Sequence, residues 1–303
     1  MSSNGRLLDL AEDALGGLQD SSPILDDTAA LRQRMTCDNY LYIRGFWTLD
    51  EVVEGRRLMI ERIADRGWLD PSRPPESLWV RPGLDTAPIN ASSRIHGDLA
   101  KDNPGLKRFL FSGRLREFWE RFLGGPMLHF DNVNTRVTAP GQATFPHCDS
   151  VYMGRGTRNR FTAWVPYVDV PVERGGLMIL ENSHLSMPIQ ERYANRDVDE
   201  YCENRPNAAA YARADRQWTG QLARDAHTLR QKIGGRWLTA DFQAGDLLVF
   251  TLFLVHASLD NRSQQLRLSS DSRYQLASDP VDERHMGPNP AMHGPRAKRG
   301  RIC

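Results

Sequence analysis

The chain has 303 residues, and its 39 basic and 38 acidic side chains leave a formal net charge of +1 at pH 7. Such a balance gives no overall attraction to nucleic acid or to an anionic membrane surface, so we expect neither as a partner. The length is sufficient for a large buried core, which favours one structural domain with elaborations. No obligate protein partner is predicted.

Cysteine usage and hydropathy indicate the compartment. The four cysteines are scattered without a CxxC pair, as is typical of free thiols in a reducing cytosol. Residues 1–17 carry acidic side chains within their apolar part, unlike a secretory signal peptide. No segment approaches the roughly 20 consecutive apolar residues that cross a bilayer. We therefore expect a cytoplasmic protein.

Residues 1–125 are predicted to form a region of helices and loops that packs on the rest of the protein. The apolar spacing between Leu7 and Leu18 would suit one short helix. Residues 39–46 are typical of a strand. Thr48, followed three residues later by Glu51, marks the start of a longer helix.

The second half of this region is predicted to contain a long loop followed by a helix. Residues 70–105 are rich in Pro, Gly, Asp and Asn, which favours an irregular segment, and loops of that length commonly bind something. Residues 106–123 carry an apolar stripe at helical spacing that stops at Gly124, so a helix is predicted there.

Residues 126–278 are predicted to form a β-core. Short strand-like runs separated by turns are typical of a sandwich or a jelly roll. Residues 185–237 are instead rich in Ala, Arg and Gln, which predicts a helical insertion in that core. Residues 279–303, with several Pro and Gly and a basic run, are predicted to be an irregular tail.

The first candidate site is the pair His147 and Asp149. Side chains two positions apart on a β-strand point to the same face, so the two could bind one ion while Cys148 points away. One His-x-Asp pair is weak evidence, because such pairs are common on protein surfaces. The apolar run 247–255 ends in His256, which could supply a third ligand. Two imidazoles and a carboxylate on one face of an octahedral ion form the non-haem Fe(II) site, which leaves positions open for oxygen chemistry.

The next predicted strand carries a row of charge. Alternation puts Arg267, Ser269, Asp271 and Arg273 on one face. Charged side chains inside a β-core are costly unless they are paired or line a ligand cavity. Because the guanidinium fork matches a carboxylate, Arg267 could hold one end of a short dicarboxylate whose other end binds the metal.

Together these motifs resemble the phytanoyl-CoA dioxygenase family of Fe(II)- and 2-oxoglutarate-dependent oxygenases. The resemblance rests on His147-x-Asp149, then His256, then Arg267 eleven residues later. The middle block FTAWVPYVDVPVERGGLMILENSH is also similar to the family's pattern of a Trp-containing strand, an acid, a glycine and a Ser-His pair. The resemblance covers about residues 130–275.

Membership of that family would imply a mainly β fold with flanking helices, namely a cupin-like double-stranded β-helix or jelly roll. It would make His147, Asp149 and His256 the Fe(II) ligands. Arg267, helped by Ser258, would bind the 2-oxoglutarate cosubstrate, and Thr162 is a weaker candidate for that role. The resemblance implies consumption of O2 with release of succinate and CO2. Because Asp149 is present, the related halogenases, which lack that carboxylate, are disfavoured.

The substrate is expected to be a small organic molecule, and hydroxylation is the expected outcome. The same metal site could instead desaturate, epoxidise or cyclise its substrate, and a rival from another class is a non-catalytic jelly-roll protein that only binds small molecules. The candidates for substrate contact lie on strands near the proposed site or in the long loop region, where core or rim packing is an equal alternative. These candidates are Arg136, Tyr152, Trp164, Trp79, Arg81 and Arg94.

Overall fold

Two β-sheets and a further two-stranded sheet make up the β-structure, and most of the helices pack beside the larger sheet. The computed structural model describes residues 1–91, 93–199, 218–288, 290 and 292–293, with side chains outside 90–96. The helices are α1 (Thr28–Asp38), α2 (Leu49–Asp65), α3 (Ala87–Ala91), α4 (Ser93–Ala100), α5 (Pro104–Phe111), α6 (Gly113–Leu123), α7 (Ser150–Met153) and α8 (Ala226–Ile233). The strands are β1 (Ser2–Ser3), β2 (Arg6–Leu7), β3 (Leu15–Gly17), β4 (Tyr40–Ile43), β5 (Met127–His129), β6 (Asn134–Thr138), β7 (Phe161–Pro166), β8 (Leu177–Leu180), β9 (Trp237–Thr239), β10 (Leu247–Thr251), β11 (His256–Ser258) and β12 (Arg267–Leu276).

The larger sheet has six strands in the order β4-β10-β7-β12-β5, with β6 also paired to β12. The smaller sheet has the order β11-β8-β9-β3, in which only the β3–β9 pair is parallel. The central strands of both sheets are buried on both faces, and their side chains contribute to apolar cores. This arrangement is the predicted double-stranded β-helix, which is mainly β with flanking helices.

Strand β12 connects the helical layer with the barrel interior, and its two faces differ as its alternation predicted. Leu268 and Tyr274 belong to the main apolar core, and the Tyr274 hydroxyl donates to the carbonyl of Leu110 on α5 at 2.8 Å. The Trp119 ring of α6 stacks on the Tyr274 ring with centroids 4.8 Å apart. The helices therefore support the outer face of β12, and its charged face is left to the interior.

Two local signals are confirmed in the N-terminal region. Thr48 and Glu51 form a reciprocal capping box at the start of α2. The predicted helix over 106–123 is present as α5 and α6, which are separated at Ser112. It ends at Gly124, whose φ of +81° is the left-handed conformation that glycine adopts readily.

Two other predictions in this region are wrong. The segment with Leu7 and Leu18 forms the short strands β2 and β3 rather than a helix, because β3 completes the edge of the smaller sheet beside β9. The predicted loop over 70–105 contains the helices α3 and α4, since tertiary contacts with β6 and α2 outweigh its local composition.

The predicted insertion and the predicted tail both lie partly outside the described residues. The predicted insertion over 185–237 contains a π-helix at Ile189–Tyr193 and helix α8, and its residues 200–217 lie outside the described residues. The described part of the predicted irregular tail packs against the segment after β5, where the amide of Asp131 donates to the carbonyl of His285 at 3.1 Å. There the buried Arg284 guanidinium pairs with Asp282 at 2.5 Å and with Asp197 at 3.0 Å.

Candidate metal centre

The two candidate histidine ligands are brought together by a backbone pair. His147 and His256 form an isolated antiparallel bridge in which each amide donates to the other's carbonyl at 3.0 Å. Side chains of such a pair project to the same face, and their ring centroids lie 4.2 Å apart. The predicted strands at this site are wrong in detail. His147 lies in a loop after Pro146, and the run 247–255 is broken by a turn after Thr251.

Both imidazoles are oriented by backbone carbonyls. Nδ1 of His147 lies 2.7 Å from the carbonyl oxygen of Phe145, and Nδ1 of His256 lies 3.1 Å from that of Leu254. Because a carbonyl oxygen only accepts, each Nδ1 carries the hydrogen and each Nε2 keeps a free lone pair. This is the tautomer that a metal-binding histidine uses.

Asp149 directs one carboxylate oxygen toward both imidazoles. Its Oδ1 lies 3.7 Å from Nε2 of His147 and 3.8 Å from Nε2 of His256. Its Oδ2 accepts hydrogen bonds from the Thr162 hydroxyl at 2.6 Å and from Nη2 of Arg273 at 2.8 Å. The carboxylate, which follows the bridge at the start of α7, is thereby held with Oδ1 free for a ligand.

Burial sets the charge states of this cluster. Burial, together with the neighbouring His256, lowers the pKa of His147 to about 3. Burial also lowers the pKa of His256. For Asp149 burial by itself raises the pKa, but the Arg273 guanidinium and the two imidazoles more than offset this effect, so the pKa lies below its usual range. Neutral imidazoles and an ionised carboxylate are the protonation states that bind a divalent metal.

The donor set fits one metal ion. One ligand atom from each of the three residues lies within 4.8 Å of the others, and all three residues are buried. A single ion with bonds of about 2.1 Å can join atoms at up to about 4.2 Å, so a small inward movement closes the set. Two imidazoles and one carboxylate suit Fe(II) and occupy only half of an octahedral coordination sphere.

A cavity of about 350 Å³ opens beside this cluster. His147 and Asp149 form part of its wall. Other wall residues are Arg136, Phe145, Tyr152, Gln221, Arg273 and His293. The size suits a small organic ligand, and the wall is mainly polar.

The comparisons with known proteins agree with this geometry. A sequence profile of the family described as phytanoyl-CoA dioxygenase (PhyH) matches residues 37–269, well over half of the chain. The chain belongs to the phytanoyl-CoA dioxygenase family. Membership confirms the prediction from the motifs. The chain is therefore a non-haem, Fe(II)- and 2-oxoglutarate-dependent oxygenase that acts on a small molecule.

Among curated proteins, the chain is 26% identical over 282 residues to a 1-deoxypentalenic acid 11-beta-hydroxylase from Streptomyces exfoliatus, covering 88% of this chain and 87% of the relative. Among solved structures, EctD from S. alaskensis with 2-oxoglutarate and 5-hydroxyectoine has a TM-score of 0.55 at 17% identity, covering 98% of this chain and 91% of that one. The carbocyclase SnoK from nogalamycin biosynthesis has a TM-score of 0.54 at 18% identity, covering 87% and 89%. The structural matches support the fold.

The three residues expected to bind 2-oxoglutarate in this family, Arg267, Ser258 and Thr162, are all buried. Arg267 is buried in the barrel, where its Nη1 donates to the carbonyl of Gly175 and its Nε has no partner among the described residues. Ser258 is also buried, and its hydroxyl accepts from the backbone amide of Thr144 at 2.8 Å. The Thr162 hydroxyl donates to Asp149, so this residue contacts a candidate metal ligand directly.

The candidate substrate contacts separate into two groups. Arg136 and Tyr152 lie on the cavity wall beside the triad. Trp164 lies outside that wall, buried in the barrel core, where its ring packs against Phe242 with centroids 4.8 Å apart. Trp79 also lies elsewhere, beneath the Arg73 guanidinium, 3.9 Å from the centroid of its ring.

The remaining two candidates come from the loop region. The backbone amide of Arg81 donates to the carbonyl of Trp68 at 2.8 Å. Arg81 therefore lies near the end of α2, and it is not part of the cavity wall. Arg94 lies in α4, and its side chain is outside the described residues.

Sequence reasoning did not select several residues of the cavity wall, among them Arg273 and His293. Arg273 was placed on the charged face of β12 without a role, although its alternation with Arg267 was a usable signal. His293 comes from the tail, and its ring lies 4.8 Å from the Tyr152 ring. No local pattern around His293 predicts that contact, because it depends on how the tail folds back.

Within the described residues, no helix is both long enough and apolar enough to span a bilayer.

Proposed function

We propose that this protein hydroxylates a small organic molecule, with Fe(II) bound by His147, Asp149 and His256. The observation that carries the proposal is the convergence of three buried ligand atoms on one point beside a cavity. Iron bound there would supply the family's oxidation, in which one atom of O2 enters the substrate, the other enters succinate, and 2-oxoglutarate loses CO2.

The protein's own part is to orient the three metal ligands and to leave coordination positions open. The carbonyls of Phe145 and Leu254 keep both Nε2 lone pairs available, and Thr162 with Arg273 holds Asp149 to one coordinating oxygen. Three protein ligands on one side of an octahedral ion leave three positions open. Two of them suit a chelating cosubstrate and one suits O2.

Arg267 is the proposed partner of the remote carboxylate of 2-oxoglutarate. Its guanidinium is almost fully buried, and its Nε and the hydroxyl of Ser269 lack partners among the described residues. Both residues lie on the inner face of β12 with Arg273. Buried donors without partners are costly, so a ligand with several oxygens would stabilise this part of the barrel. Ser258 is the proposed assistant, and it lies on β11 in the smaller sheet, two residues after His256.

Hydroxylation is favoured over other oxidations by the names of the curated relatives, which are hydroxylases of 1-deoxypentalenic acid. Solved structures of similar fold are named as an epimerase and a carbocyclase, which makes desaturation, epoxidation or cyclisation the alternative outcome. A non-catalytic binding protein would not need two imidazoles with free Nε2 atoms facing one carboxylate oxygen.

An anaerobic titration tests the proposal. Apo-protein receives Fe(II) and then 2-oxoglutarate while the weak visible charge-transfer band of the chelate is followed. The band should appear in the wild type and in the control His227→Ala, which changes a histidine on α8, and should be absent in His256→Ala. Iron binding without a cosubstrate band in folded wild type would contradict the proposal. Succinate release with 1-deoxypentalenic acid would be the first substrate assay.

A further inference from the structure

The wall of the cavity beside the triad is basic. Arg136 and Arg273 both contribute to it, while Asp149, its acidic contributor, is a proposed iron ligand. Arg273 is 3% exposed and is committed through Nη2 to that carboxylate. Nε and Nη1 of Arg273 have no partner among the described residues, but this side chain is almost fully buried, whereas 39% of the Arg136 side chain is exposed. Arg136 is therefore the cation of this wall that is more accessible to a second molecule.

The Arg136 guanidinium is held at one edge and open at the other. It extends from β6, and its Nε donates to Oδ2 of Asp271 at 2.5 Å. Among the described residues, Asp271 is its one hydrogen-bond partner, and 39% of the Arg136 side chain remains exposed. An arginine fixed through Nε presents its two terminal nitrogens as a fork, which matches the two oxygens of a carboxylate.

The charge of the loaded site also favours an anion. Arg136 pairs with Asp271, Arg273 pairs with Asp149, and Arg267 on the inner face of β12 adds a third guanidinium with no carboxylate partner among the described residues. The ferrous ion and the dianion of 2-oxoglutarate would cancel each other. One positive charge then remains, which favours an anionic ligand at the exposed guanidinium of Arg136.

We propose that the substrate is an organic acid whose carboxylate binds the terminal nitrogens of Arg136. This inference rests on the proposed function, because that function makes the cavity the substrate site. Phe145, which is 38% exposed, adds apolar surface to the same wall. The carboxylate would fix the orientation of the substrate, and its organic body would occupy the rest of the cavity.

A carboxylate at Arg136 could come from two molecules, the substrate or 2-oxoglutarate itself. The structure favours the substrate, because Arg267 is available for one end of 2-oxoglutarate and the open metal positions are available for the other. The two sources predict different variants. If Arg136 binds the substrate, its loss leaves the affinity for 2-oxoglutarate unchanged, whereas loss of Arg267 weakens it.

The experiment uses benzoate and benzamide, which have nearly the same shape and differ in charge. Full-length protein is loaded with Co(II) and N-oxalylglycine, so that the metal and cosubstrate positions are filled, and each probe is titrated by calorimetry. The variants are Arg136→Gln and the pair Arg136→Gln with Asp271→Asn. The pair avoids leaving a buried carboxylate without its partner. Arg116→Gln, which removes a surface ion pair with Glu120, is the matched control.

Wild type and Arg116→Gln should bind benzoate. Wild type should bind benzamide at least about tenfold more weakly than benzoate, and the Arg136 variants should bind benzoate at least about tenfold more weakly than wild type does. This is the size expected for a charge-assisted pair. The affinity for 2-oxoglutarate, measured from the charge-transfer band, should stay within about threefold in the Arg136 variants. Equal binding of benzamide and benzoate by wild type overturns the inference, as does no binding of benzoate. A loss of 2-oxoglutarate affinity without Arg136 also overturns it, because that assigns Arg136 to the cosubstrate.

Failure of the proposed function would look different. A wild type that forms no complex with Fe(II) and 2-oxoglutarate contradicts the oxygenase site whatever benzoate does. In that case benzoate titrated into apo-protein, compared between wild type and the paired variant, still decides whether Arg136 binds a carboxylate.

Discussion

The Thr162 hydroxyl provides a direct test of how the proposed iron ligand is held. Thr162 is fully buried on β7 and donates to Oδ2 of Asp149 at 2.6 Å. Thr162→Val removes that donor and keeps the β-branched shape of the side chain. Asp149 then keeps the bond from Arg273 to the same oxygen, at 2.8 Å, and can rotate more freely about it.

The expected magnitude follows from these contacts. A buried hydrogen bond to a charged acceptor contributes about 1.5 to 3 kcal/mol, and the remaining Arg273 bond places this case near the lower value. Loss of a residue that orients a metal ligand typically lowers metal affinity about 10- to 100-fold. We therefore expect Thr162→Val to bind Co(II) about tenfold more weakly than wild type, with a modest loss of stability.

Calorimetric titration of apo-protein with Co(II) measures the affinity, and the visible spectrum of the bound ion reports its coordination. Thr239→Val is the matched control, because the buried Thr239 hydroxyl donates to the carbonyl of Leu177 at 2.7 Å, away from the triad. Both variants should lose similar stability in urea. Only Thr162→Val should lose metal affinity.

An unchanged Co(II) affinity in Thr162→Val, or an equal loss in Thr239→Val, would refute the reasoning. The first result would show that Arg273 alone orients the carboxylate. The second would show that general loosening of the barrel, and not the bond to Asp149, controls the metal site.

Three further predictions concern the cosubstrate, the tail and a turn. Arg267→Gln should weaken 2-oxoglutarate binding at least about tenfold while Co(II) affinity stays near wild type, as calorimetry can show, because a bidentate charged contact is lost. Burial lowers the pKa of His285 to about 3. As the pH falls below about 6.5, this histidine is protonated in the unfolded chain but not in the folded protein, so the free energy of unfolding decreases until the pH reaches about 3. His285→Phe keeps the stacking on Phe130 but removes the titrating group. Measured by urea unfolding, the variant should lose roughly 2 kcal/mol less stability than wild type between pH 7 and pH 4.5. An equal loss in both proteins would contradict this. Gly175→Ala should destabilise the fold by about 2 kcal/mol or more in the same assay, since φ is +78° and an added Cβ would lie 2.7 Å from the carbonyl oxygen of Leu259.

Much of the site was predictable because its chemistry is carried by residue types at characteristic spacings. The candidate ligands His147, Asp149 and His256 and the candidate 2-oxoglutarate partner Arg267 were all chosen from sequence, and the family they indicated is confirmed. The local backbone was predicted less well. Pro146 interrupts the expected strand, and the two histidines meet through a bridge between segments more than 100 residues apart in the sequence.

The structure also decided which charged residues act together. Alternation along β12 indicated that Arg267, Asp271 and Arg273 share a face, but it did not show that Arg273 would bind Asp149 while Asp271 would bind Arg136. Those partners come from other strands and from a loop, so no local pattern contains them.

The sequence by itself determined the family, the kind of metal site and the alternation of the strands, because ligand chemistry and side-chain periodicity are local properties of the chain. Only the tertiary structure decided which oxygen of Asp149 is free, which arginines line the cavity and that His293 of the tail contributes to its wall. These features depend on distances between segments far apart in sequence, and such distances are set by how the two sheets, the helices and the tail pack together.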